Sequence, residues 1–236
     1  MDAARLASLL DGLRGGLIVS TQASPDSPLH NPIVIAALAK AGEIAGCVGH
    51  RVNGPEHVRA VRAACERPIV GIYKVDTPGY EVYITPTVSA AKAVADVGAS
   101  LIALDGTPRA RPDGLTLAGL IEGVHALGLP VMADVATLAE GVGAAAAGAD
   151  IVATTMSGYT PDTAYLRDRG PDLQLIRDLK AAVSTPIIAE GRFHHPEQVT
   201  AAFEAGAHAV VVGTAITATG WIAEQFVRAS PRGQGR

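Results

Sequence analysis

Eight short apolar runs, each followed by a polar, charged or glycine residue, recur along this chain of 236 residues. They cover residues 17–19, 46–48, 69–73, 101–104, 131–133, 151–153, 187–189 and 209–212. Between them, apolar residues recur with the spacing of an amphipathic helix. Alternating strands and helices indicate a parallel sheet, and eight such units favour a closed barrel over an open, doubly wound sheet. We therefore predict the α/β fold class, as a single (β/α)8 TIM barrel domain over residues 1–229.

The segments between and after the runs predict eight helices. They cover residues 31–41, 55–66, 87–97, 115–127, 137–147, 171–183, 196–205 and 217–229. Five of them end directly before glycine, which best tolerates the left-handed conformation of a helix stop. These glycines are Gly42, Gly98, Gly128, Gly148 and Gly206. Ahead of the first run, leucines at positions 6, 9, 10 and 13 predict a short helix across the bottom of the barrel.

Two segments, 75–86 and 157–170, interrupt the even spacing and are predicted to be irregular loops. Long loops on the C-terminal face of a barrel carry lids and substrate contacts, and a solvated insertion is the alternative. The final segment, 230–236, has no apolar anchor, so we expect a disordered C-terminal tail.

Charge and composition exclude several classes of partner. The net charge of −4 offers no basic field for nucleic acid or for an anionic membrane surface. No run approaches 18 uninterrupted apolar residues, so we expect no membrane span. Cys47 falls in a predicted strand and Cys65 near a helix end, which favours two buried free thiols over a disulfide. Free thiols indicate a reducing, cytoplasmic environment.

Lys74 and Glu190 follow the third and seventh runs, so we expect them to face each other across the barrel mouth. A lysine that loses hydration there can act as a base or as a Schiff-base nucleophile; an ordinary surface lysine is the alternative. A carboxylate directly after three apolar residues is costly to bury without a partner or a chemical task. An amine opposite a carboxylate is the arrangement that proton transfer at carbon requires.

Gly191 follows the seventh run and the Gly213-Thr214 pair follows the eighth, where barrels of this kind bind phosphate. Asp105 and Asp134 end the fourth and fifth runs. They could be metal ligands, but hydrogen bonding to sugar hydroxyls or orientation of Lys74 is favoured.

We expect no metal and no redox cofactor. The Gly141-Val142-Gly143 pattern fits a dinucleotide fingerprint by letter, but it lies in a predicted helix with no strand directly before it. No His, Cys and carboxylate spacing of a zinc or iron site appears in the sequence. His194 and His195 are adjacent, so each is expected to be a surface or capping residue.

Several of these segments together resemble the bacterial N-acetylmannosamine-6-phosphate 2-epimerases. The similar segments are Ile-Val-Ser-Thr-Gln-Ala at 18–23, Val-Gly-His-Arg-Val-Asn at 48–53, Gly-Ile-Tyr-Lys at 71–74, Tyr-Ile-Thr-Pro-Thr at 83–87, Ala-Leu-Asp-Gly-Thr at 103–107, Arg-Pro-Asp-Gly at 111–114, Met-Ala-Asp at 132–134, Thr-Met-Ser-Gly-Tyr-Thr at 155–160 and Ala-Glu-Gly at 189–191. They run in order through residues 16–227. Any one alone would indicate only a phosphate-binding barrel.

The resemblance implies a cofactor-independent isomerase, a homodimer, that interconverts N-acetylmannosamine 6-phosphate and N-acetylglucosamine 6-phosphate in sialic acid catabolism. It places the catalytic groups at Lys74 and Glu190. Sugar contacts fall on Gln22, Arg51 and Asp134, and phosphate contacts on Gly191, Gly213 and Thr214. Asp105 is not part of what the resemblance implies; its place at the end of the fourth run predicts a supporting position behind these contacts. Family members often carry an arginine shortly after strand eight, where this chain has Ala218.

The resulting hypothesis is removal and return of the proton at C2, with Lys74 as the base and Glu190 assisting ring opening. The sequence leaves open whether one base or two move the proton. One alternative is another phosphosugar barrel enzyme in which Lys74 forms an imine. A second is a sugar-phosphate binder without catalysis.

Overall fold

The computed structural model describes residues 2–232 and contains the closed barrel that the sequence predicts. Eight parallel strands follow in chain order, and β1 pairs with β8 to close the sheet. The strands are β1 (Leu17–Thr21), β2 (Gly49–Asn53), β3 (Ile69–Ile72), β4 (Leu101–Asp105), β5 (Val131–Asp134), β6 (Ile151–Ala153), β7 (Ile187–Glu190) and β8 (Ala209–Val212). The fold class is therefore a (β/α)8 TIM barrel.

The strands are buried on both faces, because side chains fill the barrel interior and helices cover its outside. In β4, Leu101 and Ala103 belong to the inner cluster, whereas Ile102 and Leu104 belong to the cluster under the outer helices. All four side chains are fully buried. This two-residue alternation between two apolar surroundings explains why the strand reads as a continuous apolar run.

The predicted helices are present, with ends that differ by a few residues at most. The helices are α1 (Ala3–Leu13), α2 (Pro32–Ile44), α3 (Pro55–Ala64), α4 (Val88–Ala95), α5 (Leu117–Ala126), α6 (Leu138–Ala146), α7 (Leu173–Ala182), α8 (Pro196–Glu204), α9 (Thr214–Thr217) and α10 (Thr219–Ala229). Threonine hydroxyls at Thr87, Thr116 and Thr137 accept hydrogen bonds from backbone N–H groups in the first turns of α4, α5 and α6. Such caps satisfy donors that have no partner within the helix.

Helix α1 lies across the N-terminal end of the barrel, as predicted. Leu13 is fully buried among the inner cluster, and Leu9 and Leu10 pack beside it. The carbonyl of Leu10 accepts a hydrogen bond of 2.7 Å from Nε2 of His208, which directly precedes β8. This helix therefore covers the bottom of the barrel.

The prediction for strand two was wrong. Residues 46–48 form the turn before the strand, and Cys47 lies ahead of β2 rather than within it. Helix α2 continues through Gly42, and Gly46, with φ of 96°, adopts the left-handed conformation expected at Gly42. The strand itself is the polar segment Gly-His-Arg-Val-Asn, which an apolar pattern does not reveal.

The two interrupting segments are irregular in the structure and lie at the C-terminal face. An isolated antiparallel bridge joins Lys74 to Ile84 across the first, and a short 3₁₀ helix, Pro161–Leu166, occupies the second. Of the predicted tail, residues 230–232 form a bend and turn after α10, and residues 233–236 lie outside the described residues. No helix within residues 2–232 is long and apolar enough to cross a membrane.

Candidate active site

A cavity of about 320 Å³ opens at the C-terminal ends of the strands. Seven of the nine predicted site residues line it: Gln22, Arg51, Lys74, Glu190, Gly191, Gly213 and Thr214. Asp105 and Asp134 are fully buried and are not among the lining residues. The structure thus brings groups from five different strand ends into one space, which is where barrel enzymes carry out chemistry.

Arg51 connects the two carboxylates of the site. Its guanidinium donates to both oxygens of Asp134, at 3.1 and 2.5 Å, and to Oε2 of Glu190 at 2.8 Å. The Thr155 hydroxyl lies 2.7 Å from Oδ1 of Asp134 and 3.2 Å from Oε2 of Glu190. Burial alone would lower the pKa of Arg51, but these carboxylates outweigh it and raise that pKa. Asp134 therefore positions Arg51 from behind the cavity wall.

Glu190 is a carboxyl group poised to exchange a proton near neutral pH. Its side chain is only 13 % exposed, and burial raises its pKa to about 7; Asp134 adds to this rise, whereas Arg51 opposes it. Both side-chain hydrogen bonds of Glu190 within residues 2–232 reach Oε2, which leaves Oε1 for a ligand. A group with this pKa can serve as an acid or a base at neutral pH.

Lys74 projects into the open mouth of the cavity from just beyond β3. Its backbone N–H donates to Oδ1 of Asn53 at 2.9 Å, which fixes the chain at the base of the side chain. Surrounding protein atoms strip part of the hydration from the ammonium group, and the Arg51 charge repels it. Both effects lower the pKa of Lys74, although Glu190 and Asp134 partly counter them. A fraction of neutral amine is what a base requires.

Gln22 offers an unused acceptor to a ligand. Its Nε2 donates to the Ser20 hydroxyl at 2.9 Å, while its buried Oε1 has no hydrogen-bond partner among the described residues. A buried acceptor without a partner costs about 1–3 kcal/mol. A hydroxyl or amide N–H of a bound sugar would satisfy it.

The expected phosphate region combines glycine backbone with short side chains. Gly191 has φ of 107°, and Gly213 lies directly above Ser20, where an added Cβ would be 3.1 Å from the Ser20 Cβ. The Thr217 hydroxyl donates to the Ser20 carbonyl at 2.7 Å and ties α9 to β1. Ala218 also lines the cavity, at the place after β8 where the resemblance leads us to expect an arginine.

Asp105 serves a neighbouring loop instead of Lys74. Its Oδ1 accepts from the N–H and hydroxyl of Thr107, at 2.9 and 2.6 Å, and its Oδ2 accepts from Arg109 at 2.7 Å. These contacts fix the turn after β4. Asp105 therefore does not orient Lys74 by direct contact.

Arg192 fastens both ends of the 157–170 loop. Its Nε donates to the carbonyls of Arg169 and Gly170, at 3.1 and 3.0 Å, and its Nη1 donates to the carbonyl of Ser157. The guanidinium also lies 5.8 Å from the ring centre of Tyr159, which lines the cavity. The loop is thereby held against the cavity rim.

Side chains outside the nine predicted site residues also line the cavity, among them Tyr83, Thr155, Tyr159 and His194. Thr155 follows the sixth run, and Tyr83 and Tyr159 lie in segments named above, but their contacts depend on how the loops fold. His194 and His195 are exposed, as expected, and His195 is the N-cap residue of α8. His194 also borders the cavity, and its ring packs 4.8 Å from that of Trp221. Burial, with the charges of His195 and Arg192, lowers the pKa of His194.

The cavity is built for a polar organic ligand rather than for a metal ion. Glu190 in the cavity and Asp134 behind its wall already share the Arg51 guanidinium, which places a positive charge where a cation would bind. The Gly141-Val142-Gly143 pattern lies inside α6 and not in a turn between a strand and a helix, where a dinucleotide fingerprint is found. The cavity contains an amine, a carboxyl group and hydrogen-bond donors, which are the groups that proton transfer requires.

Comparison with known proteins gives consistent results. A family model described as "Putative N-acetylmannosamine-6-phosphate epimerase" matches residues 35–231. A relative from Thermosynechococcus vestitus, named "Putative N-acetylmannosamine-6-phosphate 2-epimerase", is 47% identical to this chain, and the alignment covers 94% of this chain and 96% of the relative. Another, from Caldanaerobacter subterraneus, is 42% identical over 93% of this chain and 92% of the relative.

Solved structures agree with this relationship. The N-acetylmannosamine-6-phosphate 2-epimerase of Clostridium perfringens superposes with a TM-score of 0.90 at 36% identity, covering 94% of this chain and 96% of that one. A thiamine phosphate pyrophosphorylase from Pyrococcus furiosus, at 17% identity and a TM-score of 0.57, shares the fold alone. The chain belongs to the N-acetylmannosamine-6-phosphate 2-epimerase family.

Proposed function

We propose that this protein interconverts N-acetylmannosamine 6-phosphate and N-acetylglucosamine 6-phosphate by moving the proton at C2. The observation that carries the proposal is the placement of Lys74 and Glu190 at β3 and β7, in one cavity. The surroundings shift the pKa of each group toward neutrality, downward for the amine and upward for the carboxyl group. Opposed shifts of this kind match the needs of acid and base catalysis at neutral pH.

The reaction begins with opening of the sugar ring, in which Glu190 exchanges a proton with the ring and anomeric oxygens. The resulting C1 aldehyde acidifies the C2 hydrogen, and neutral Lys74 removes that proton to leave an enolate and an ammonium group. Return of a proton to the opposite face of C2 gives the epimer. If the Lys74 ammonium returns the proton, the neutral amine is regenerated directly; if Glu190 donates it, the proton left on Lys74 passes back to Glu190 through water. Ring closure reverses the opening step, so no net proton is gained or lost.

Tyr83 is suited to stabilise the developing negative charge. Burial and the charges of Asp134 and Asp105 raise the pKa of its hydroxyl, so the group remains a hydrogen-bond donor. A donor aimed at such an oxyanion contributes about 10²–10³ in rate. The acceptor Oε1 of Gln22 and the backbone around Gly191 and Gly213 would hold the acetamido sugar and its phosphate.

The test is to follow the protein with N-acetylmannosamine 6-phosphate in deuterated water by NMR. We expect N-acetylglucosamine 6-phosphate to form without nicotinamide and to carry deuterium at C2 at equilibrium. Turnover to a product without C2 deuterium would rule out deprotonation. Borohydride treatment with substrate present tests the imine alternative, because only an imine at Lys74 would leave a reduced, covalently attached sugar.

We further propose a place for this activity in sialic acid catabolism in the cytoplasm. The buried free thiols of Cys47 and Cys65 support a reducing compartment. We also propose that residues 1–229 fold as one domain, supported by the β1–β8 pairing that closes the barrel. Calorimetry should then give one cooperative unfolding transition.

A homodimer is the proposed assembly. Helix α10 buries none of its described residues in the single chain, and Phe226 and Val227 are 76% and 52% exposed. The family resemblance implies a homodimer, and a second copy packed on α10 would cover this apolar face. Light scattering should give twice the chain mass, and Phe226→Glu should lower it to one chain; a monomeric wild-type protein would contradict the proposal.

A further inference from the structure

A second cluster of reactive side chains lies on the outer side of the barrel wall, apart from the cavity. Glu43 in the last turn of α2, His50 on the outward face of β2 and Cys65 at the end of α3 meet there. One donor atom from each lies within 4.8 Å of the other two. His50 is fully buried, Cys65 is 3% exposed and the Glu43 side chain is 12% exposed.

The His50 ring is left with an unused nitrogen that faces a carboxylate. Its Nδ1 contacts Sγ of Cys47 at 3.9 Å. Its Nε2 lies 3.5 Å from Oε2 of Glu43 and has no hydrogen-bond partner within residues 2–232. If Nδ1–H donates to Cys47, the Nε2 lone pair points toward a carboxylate oxygen, and the two repel. A bound cation would turn this repulsion into two favourable contacts.

We propose that Glu43, His50 and Cys65 bind one divalent transition-metal ion of the zinc class, with a water as the fourth ligand. Thiolate, imidazole and carboxylate are the ligand types that zinc prefers. One thiolate and one carboxylate also neutralise the charge of the ion. Ligand atoms of a tetrahedral zinc lie roughly 3.5 Å apart, so the donors need to close by about 1 Å.

The surroundings of the cluster prepare it for a ligand. Backbone N–H groups of Glu66 and Arg67 donate to Oε2 of Glu43, at 2.9 and 3.1 Å, and hold the segment after Cys65 next to the carboxylate. Lys40 contacts Oε1 of Glu43 at 2.8 Å, but its side chain is 46% exposed and can move into solvent when an ion binds. An Nδ1–H of His50 that donates to Cys47 would fix the tautomer that leaves Nε2 free for the ion, as an outer partner of a metal-ligating histidine commonly does.

The experiment is a titration of the metal-free protein with Co²⁺ and Zn²⁺, followed by absorbance, metal analysis and thermal unfolding. We expect one equivalent of bound metal, a near-ultraviolet thiolate-to-cobalt charge-transfer band and a higher Tm. Cys65→Ser should abolish the band. Cys47→Ala is the matched thiol control and should keep the band, with an affinity loss of about 10- to 100-fold at most.

Three results would overturn the proposal: no stoichiometric binding to the folded wild-type protein, a band that persists in Cys65→Ser, or a band lost only in Cys47→Ala. If Cys65→Ser fails to fold by circular dichroism, His50→Gln replaces it and should remove stoichiometric binding; retained binding would contradict the model. None of these readouts requires epimerase activity, so the outcome is independent of the proposed function.

Discussion

Replacing Glu190 by glutamine should make the protein inactive and, at alkaline pH, more stable. Burial raises the pKa of Glu190 to about 7 from an ordinary 4.5, so ionising this group costs free energy in the folded protein. The native state therefore binds a proton that the unfolded chain releases. The associated stability is fully present below pH 4.5 and is lost as the pH rises through about 7. A glutamine side chain cannot ionise, so the variant escapes this loss.

The size of the effect follows from the two pKa values. For a single group with these values, the cost of ionisation grows by about 2–3 kcal/mol between pH 5 and pH 8. For a chain of this length, that corresponds to a Tm difference of roughly 5–10 °C. Removing the hydrogen bond from Arg51 adds a cost, but Arg51 keeps both contacts to Asp134. That cost is nearly constant with pH and cancels when the two pH values are compared.

The assay is urea unfolding of the wild type and Glu190→Gln at pH 5 and pH 8, with kcat measured in parallel. Glu122→Gln, an exposed carboxylate on α5, is the matched control and should track the wild type. We expect the stability of Glu190→Gln relative to wild type to rise by about 2–3 kcal/mol between the two pH values. A relative stability that does not change with pH would refute the desolvated-carboxyl interpretation.

Three further predictions test the base, the phosphate region and the packing. Lys74→Met should lower kcat by about 10²–10⁴ and keep the fold, whereas the exposed Lys92→Met should leave kcat unchanged; near-normal turnover of Lys74→Met would exclude it as the base. The unphosphorylated amino sugar should show a kcat/KM lower by about 10² or more, since remote binding energy orients the reacting carbon; equal values would remove the phosphate site. Within α6, Gly141→Ala should cost about 1–3 kcal/mol because its Cβ would overlap Leu179, whereas Gly143→Ala, which meets open space, should gain about 0.5–1 kcal/mol; equal unfolding midpoints would contradict this packing.

The barrel could be predicted because seven strands combine an apolar interior with an apolar helix interface. The apolar pattern did not reveal β2, because Arg51 of this strand points into the barrel and His50 points toward the outer helices. Both side chains are buried beside a carboxylate from another element: Arg51 lies beside Asp134 of β5, and His50 lies beside Glu43 of α2. The local pattern of apolar residues cannot reveal a buried polar side chain whose partner lies on another element.

The same limit applies to the candidate site. Lys74 and Glu190 could be placed from their position at strand ends, since strand direction alone brings them to the mouth. The role of Thr155 could not be predicted, because it depends on the distances between its hydroxyl and the carboxylates of Asp134 and Glu190. The cluster of Glu43, His50 and Cys65 likewise has no recognisable spacing along the chain and exists only after α2 and α3 have packed against β2.

Arg192 holds both ends of the 157–170 loop, so these ends form a fixed frame and the exposed residues between them can be exchanged. Gly158 belongs to the frame, because a side chain at that position would collide with the Arg192 guanidinium. In the 3₁₀ segment Pro161–Leu166, Tyr165 is 69% exposed, whereas Thr163 is buried and its hydroxyl accepts a hydrogen bond of 2.9 Å from the Gly158 N–H, so Thr163 belongs to the frame. Loop grafting should therefore change the exposed residues within 161–166 and retain Thr163 and the flanking anchors, so that each new loop keeps the same docking geometry.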